Sequence, residues 1–249
     1  MKIAAIIQAR LGSKRLPAKH LLKINGKPII WYLVQRLKKV KEINNIILAT
    51  TAKKQDDQLV EFAKKEKINH FRGSENDVLG RVAKAAKKFR SDIIVDVSGD
   101  CPLLDPELVQ QAINIFKINM PDFLSTHVYS SYPLGLDTNI LSYKCLLKMD
   151  QNAKSEAERD STSLYIVKNK KKFKTLFLVA PKKIYRPEIS FLLDEQKDFI
   201  FIKRILKYFI KKKISPSAYD ILKFLDKNQH LLEINKSVER NNKDLKEVV

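Results

Sequence analysis

The chain has 249 residues, 44% of them hydrophobic, which is enough for one large core and excludes wholesale disorder. Its 48 Lys and Arg against 28 Asp and Glu give a net charge of +20, read as a Lys-rich solvated surface that attracts anionic substrates; no zinc-finger spacing or aromatic-basic signature points to specific nucleic-acid binding. Cys101 and Cys145 lack metal-ligand spacing, no apolar run approaches the ~20 residues of a membrane span, and the apolar run after Met1-Lys2 is too short for a signal peptide, so a cytoplasmic protein is expected.

The opening run Ile3-Ala4-Ala5-Ile6-Ile7 reads as a buried parallel strand. It leads into Gln8-Ala9-Arg10-Leu11-Gly12-Ser13-Lys14-Arg15-Leu16-Pro17-Ala18-Lys19, a loop carrying the cations Arg10, Lys14, Arg15 and Lys19. Such a loop suits a polyanion, because freed backbone N–H groups and cationic side chains can both face phosphate oxygens. Asn25-Gly26 is a turn, and residues 27–40 carry Ile30, Leu33, Val34 and Leu37 at helical spacing. A second strand is predicted at 46–50, an amphipathic helix at 55–67 and a short strand at 69–72. Ser74-Glu75-Asn76-Asp77 resembles a capping box before a helix with Val78, Val82, Ala85 and Ala86 inward. The fourth strand, 92–97, ends in Ser98-Gly99-Asp100. Asp105-Pro106 gives the next helix an N-cap and a proline at its first position, with Leu108, Ala112, Ile115 and Phe116 expected inside. Beyond it, strands are predicted at 123–125, 136–140, 175–180 and 189–193, and helices at 156–168, 198–211 and 219–225. From Glu239 onward the chain is highly charged and is expected to fray.

The strand–helix alternation of the first half implies a parallel sheet covered on both faces, with ligands bound beyond the carboxyl ends of its strands. The cationic loop ends the first strand and Asp100 ends the fourth, so the two should share one crevice. Asp100 suits a magnesium ion, which takes one or two carboxylates plus substrate oxygens. Asp194 follows another apolar run and reads as a second metal ligand or as a helix cap. Gly12 permits close backbone approach, and Ser13 would donate to phosphate or shape the turn. Asp137 would bind an acceptor hydroxyl or fix its loop. Arg159 would pair with a substrate carboxylate or with Glu156 or Asp160 on its own helix. Asp105 reads as a cap and Asp96 as a structural hydrogen-bond partner. His127 has no identifiable partner, and His20 reads as packing. With no nucleophile–base dyad in sight, direct in-line transfer is the economical chemistry.

Three segments, Ile7 to Lys19, Arg72-Gly73-Ser74-Glu75-Asn76-Asp77-Val78-Leu79 and Ser98-Gly99-Asp100-Cys101-Pro102-Leu103-Leu104-Asp105-Pro106, carry a resemblance that covers nearly the whole chain. Pro133-Leu134-Gly135-Leu136-Asp137, Glu158-Arg159 and Leu193-Asp194 add to it. The chain resembles the cytidylyltransferases that activate acidic sugars, the acylneuraminate and 3-deoxy-manno-octulosonate enzymes, and above all the spore-coat polysaccharide type. The resemblance implies one α/β domain over 1–249 with a doubly wound, mostly parallel sheet, the nucleotidyltransferase variant of the Rossmann fold. It implies a dimerisation or acceptor excursion around 121–180 and a helical tail at 215–249. It implies transfer of CMP from CTP to an acidic-sugar hydroxyl, release of pyrophosphate, a need for Mg2+ and a homodimer. Carried onto this sequence, Arg10, Lys19 and Asp100 are catalytic, and Asp100 and Asp194 bind the metal. The nucleotide set is Gln8, Ala9, Arg10, Leu11, Gly12, Ser13, Arg15, Lys19, Arg72, Gly73, Ser74 and Asp77, with Arg72-Gly73-Ser74 near the cytosine. Asp137 and Arg159 face the acceptor. Asp160 and Ser161 stand where the family has Glu and His, Leu134 where it often has Arg, and Asn139 where an acid is common. A hexose-1-phosphate nucleotidyltransferase, whose first loop usually carries more glycines, is the alternative enzyme. A catalytically silent nucleotide- or nucleic-acid-binding protein is the alternative of another class.

Overall fold

The computed structural model describes residues 1–240. β1 (Ile3–Gln8) is followed by the cationic loop, then by a hairpin of β2 (Lys23–Ile24) and β3 (Lys27–Pro28). Asn25 and Gly26 form its two-residue turn, both at positive φ (49° and 75°). A tight hairpin needs that backbone at both positions, and Asn-Gly adopts it with least strain. α1 (Ile29–Leu37), β4 (Asn45–Thr51), α2 (Asp57–Lys65), β5 (Asn69–Gly73), α3 (Val78–Lys88), β6 (Ile93–Ser98) and α4 (Pro106–Asn119) complete the alternating half. β7 (Phe123–Ser125), β8 (Asn139–Ser142), α5 (Tyr143–Asn152), α6 (Glu156–Arg159), α7 (Leu164–Lys168) and β9 (Thr175–Phe177) come next. α8 (Gln196–Lys211) and α9 (Ala218–Asp226) close the described chain.

One seven-stranded sheet runs in the order β5-β4-β1-β6-β8-β7-β9. Only β8 is antiparallel to its neighbours β6 and β7. Residues 121–180, expected as an excursion, supply three strands of this same sheet. Period two along β1 divides its apolar run between two cores. Ala5 and Ile7 pack with Leu33, Leu59, Val109 and Phe116 on one face; Ala4 and Ile6 pack with Leu79, Val82, Leu146 and Met149 on the other. A third cluster joins α8 and α9 to Ile29, Leu136 and Phe191. Each fully buried Ile or Leu in these clusters contributes about 1.5–3 kcal/mol over an exposed one.

Several expectations are corrected. The helix predicted at 156–168 is two short helices, because the Ser and Thr side chains between them take over local hydrogen bonds. Ser161 Oγ accepts the N–H groups of Ser163 and Leu164, and Thr162 Oγ1 donates to Asp96. Residues 189–193 are extended and alternate in burial as a strand would, yet they make no ladder, only an isolated bridge from Ser190 to Leu134. The N-cap of α3 is Asp77, whose Oδ1 accepts the Gly80 N–H at 2.9 Å, and not Ser74. α4 buries Val109 and Ile113 in place of Leu108 and Ile115, while Asp105 caps it as expected. The fraying expected from Glu239 falls mostly outside the described residues; Arg240 is anchored, as set out below.

Candidate active site

The carboxyl ends of β1, β4 and β6 open into a cleft of about 1410 Å³. The loop after β1 forms one wall and is pinned from behind. The Leu11 N–H donates to Asp56 Oδ1 at 2.7 Å, and Asp56, fully buried, also accepts Thr51 Oγ1. Ser13 Oγ accepts the Leu16 N–H at 3.3 Å, so it shapes the turn. The Gly99 N–H donates to the Gln8 carbonyl at 2.8 Å, knitting the ends of β1 and β6 together. Below that junction Gln8 Nε2 and Thr162 Oγ1 both donate to Asp96, whose pKa burial pushes up.

Lys19 reaches the centre of the cleft, with Nζ 2.9 Å from Asp100 Oδ2 and 2.9 Å from Asp194 Oδ1. Burial alone would lower the Lys19 pKa; the two carboxylates outweigh it and raise it. Burial would likewise raise that of Asp100, and Lys19 with His20 brings it below the usual carboxylate value. Arg15 adds a second cation to Asp194, with Nη2 at 3.1 Å from Oδ1. Asp194 does not cap α8; Glu195 does, in a capping box with Asp198. Asp194 also sits against Asp100 through the main chain, since the Leu193 N–H donates to the Asp100 carbonyl at 2.9 Å. Arg10 Nη1 stands 3.6 Å from Glu75 Oε1 across the cleft, and Lys53 pairs with the same carboxylate. His20 is buried under Gly99 with its pKa lowered to about 4, so it is neutral at pH 7. Burial, with the negative charge of Asp100 beside it, pushes the Cys101 thiol well above its usual value and keeps it protonated.

Gln8, Ala9, Arg10, Gly12, Ser13, Arg15, Lys19, Asp100 and Asp194 all line this one cleft. Others do not. Leu11 is buried and contributes only its N–H to Asp56. Arg72 turns to the carbonyls of Thr51 and Lys53 and to Asp57, and neither Gly73 nor Ser74 lines the cleft. Asp77 is spent as a cap and on Arg159. Arg159 bridges Asp77 and Asp150 at 2.5 and 2.7 Å, a brace among α3, α5 and α6 with no free fork for a substrate. Asp137 meets His127 Nδ1 at 3.2 Å and accepts the Gly135 N–H, so it fixes its loop outside the cleft. That contact also gives His127 the partner the sequence did not reveal.

Lys53, Gln55 and Arg81 also line the cleft, with Glu75, Asn76 and Val78 of the Arg72–Leu79 motif; the sequence reading gave none of the six a place in the site. Arg81 is 3% exposed. Its Nη1 donates to the Ser74 carbonyl, its Nε has no partner, and no carboxylate pairs with it among the described residues. Burial, then neighbouring Arg10, lowers its pKa. The signal was present: Arg81 is a charge on the apolar stripe of its helix, between Val78 and Val82.

Residues 4–238 match the sequence profile of a family described as cytidylyltransferase. The spore coat polysaccharide biosynthesis protein SpsF of Bacillus subtilis is 29% identical over 231 residues, covering 91% of this chain and 95% of that one. A 3-deoxy-manno-octulosonate cytidylyltransferase of Geotalea daltonii is 36% identical over 121 residues, 46% of this chain and 44% of its own. Among solved structures, a cytidylyltransferase from Leptospira borgpetersenii superposes with a TM-score of 0.89 at 31% identity, over 96% of this chain and 100% of that one. With the profile spanning nearly every described residue and the cleft assembled from its motifs, the chain belongs to the cytidylyltransferase family.

Proposed function

We propose that this enzyme transfers CMP from CTP to the hydroxyl of an acidic sugar and releases pyrophosphate. The observation that carries the reading is the meeting of the β1 loop with Asp100 and Asp194 around one ammonium group. A triphosphate entering the cleft would meet Arg10, Arg15 and Lys19 on one wall. Those cations would neutralise charge that builds on the α-phosphate and on the departing pyrophosphate as the acceptor oxygen attacks in line. Positioning and electrostatics supply most catalysis of this kind. Cys101 is protonated and buried and His20 is neutral, so neither is poised as a nucleophile.

The residues fit a magnesium ion: two carboxylates already converge on a single cation, Lys19 Nζ, and an ion that keeps its remaining positions for water and phosphate needs no more. Asp100 and Asp194 would hold it, and when bound it would screen the phosphate charge. Arg81 would read the base. Its guanidinium donors suit N3 and O2 of cytosine, whereas uracil presents a hydrogen at N3. A homodimer belongs to the same proposal, its contact placed on the 121–180 stretch where Tyr129 and Val179 are exposed.

The test is pyrophosphate release from the pure protein with each nucleoside triphosphate, magnesium and a panel of sugar acids and hexose 1-phosphates. Release with CTP and a sugar acid is expected. Release only with UTP or dTTP, or only with a hexose 1-phosphate, would transfer the assignment to the alternative enzyme.

A further inference from the structure

The helix after Asp194 opens on a carboxylate with no exposed surface, Asp198. Its Oδ2 accepts the N–H of Asp194 at 3.0 Å and that of Glu195 at 2.9 Å, so it grips the backbone that carries the Asp194 side chain. Its Oδ1 accepts Asn235 Nδ2 at 2.9 Å. Arg240 then closes over both oxygens, with Nη2 at 2.6 Å from Oδ1 and Nη1 at 3.0 Å from Oδ2. The same Nη1 stands 3.7 Å from Asp194 Oδ2, while Asp194 Oδ1 takes Lys19 and Arg15. Arg240 thus sorts the two oxygens of Asp194 and leaves Oδ1 on the Asp100 side. Arg15 Nη1 donates to the Glu239 carbonyl at 3.3 Å and ties the phosphate loop to the same segment. Arg240 lies beyond residue 238, where the family match stops.

We propose that Arg240 is a positioning residue for the metal end of the site, acting through Asp198 to hold Asp194 where it shares a divalent cation with Asp100. The proposal rests on the reading of Asp100 and Asp194 as the magnesium pair. Asp194 sits on an extended segment with no ladder of its own; the Leu193 N–H on the Asp100 carbonyl fixes the residue before it, and Asp198 holds the N–H of Asp194 itself. A buried carboxylate keeps such geometry only while its charge is met, and a two-pronged guanidinium does that best. Without Arg240, Asp198 would draw in water or a proton, and its hold on the Asp194 N–H would loosen.

The experiment compares full-length wild type with Arg240→Ala and Arg240→Lys. It reads the magnesium dependence of turnover, the CTP affinity by calorimetry with and without magnesium, and the melting temperature. Arg240→Ala should need about tenfold more magnesium for half-maximal turnover, as loss of a group that orients a metal ligand does elsewhere. It should lose most of the gain in CTP affinity that magnesium confers, while its metal-free CTP affinity changes less than about twofold. Arg240→Lys keeps the charge without the fork and should recover only part of the loss. If Arg240→Ala does not fold, Arg240→Lys against wild type makes the same comparison, at about threefold. A magnesium requirement unchanged in the folded variant, whatever its melting temperature, overturns the proposal. So does an equal loss of CTP affinity with and without magnesium. Wild type that turns over CTP without needing magnesium removes the metal pair itself; wild type that needs it beside an indifferent variant removes only Arg240.

Discussion

Replacing Lys19 by Met separates electrostatics from packing at the centre of the cleft, because the stem survives and the ammonium is lost. Lys19 Nζ stands 2.9 Å from an oxygen of Asp100 and 2.9 Å from an oxygen of Asp194, and the side chains are 10%, 15% and 12% exposed. Sharing one nitrogen keeps those oxygens within about 6 Å of each other, where two unit charges at an effective dielectric of ~20 repel by about 3 kcal/mol. Loss of one partner from a buried ion pair destabilises by about 3–5 kcal/mol, consistent with that figure. Lys19→Met should therefore lose about 3 kcal/mol or more of unfolding free energy at pH 7 in chelator, measured by urea denaturation. Two conditions should restore much of it. Magnesium would return a cation to the two carboxylates. Acid would protonate one of them, so the deficit should shrink as the pH falls below 5. In wild type the Asp100 pKa is depressed, so its contribution is present above 3.8 and fades only as the pH falls through the lower folded value. A deficit of the same size with and without magnesium, and at pH 7 and pH 4, would refute this account and leave lost packing as the cause.

Asp100→Asn should lower turnover about a hundredfold or more at fixed magnesium, with circular dichroism unchanged. Arg81→Lys should cut the preference for CTP over UTP about tenfold, because a point charge cannot replace a two-pronged donor; the ratio of kcat/KM values checks it. Gly99→Ala should destabilise by about 1–3 kcal/mol in urea, since the new methyl would come within 2.9 Å of both the Ala9 Cβ and the Gln8 carbonyl oxygen. Burial alone would lower the His127 pKa, but Asp137 outweighs it and raises it above 6.5. The stability this pair contributes is complete below pH 6.5 and lost as the pH rises through the folded value. Asp137→Asn should therefore flatten the fall in stability between pH 6 and 8.5, and parallel curves for the two proteins would deny the pairing.

The strongest sequence signals were those in which local chemistry and tertiary need coincide. Asn25-Gly26 marked a turn because both residues must take positive φ. Asp105-Pro106 marked a helix start because the cap and the first-turn proline are local devices. The first loop and Asp100 were legible because strand ends in an alternating fold gather at one edge. Residues 189–193 show the limit: alternation reports side-chain burial, and it cannot tell a ladder strand from an extended segment laid over α8, where Phe191 stacks on Phe201 at 6.0 Å. The segment around Arg72, expected near the cytosine, braces the loop after β4 through the Thr51 and Lys53 carbonyls, while Glu75, Asn76 and Arg81 line the cleft. His127 with Asp137 and Asp198 with Arg240 are contacts made across turns and between distant segments, which no spacing rule encodes.

The Lys19 link to Asp194 spans 175 positions along the chain. The strands that carry the Lys19 loop and its neighbours, β1, β4, β5 and β6, all come from the first hundred residues. The second carboxylate arrives only once residue 194 has been made. A nascent polypeptide thus carries an ammonium matched to one acid until residue 194 is made, and the Lys19–Asp100–Asp194 cluster is completed late, after the strands that support it.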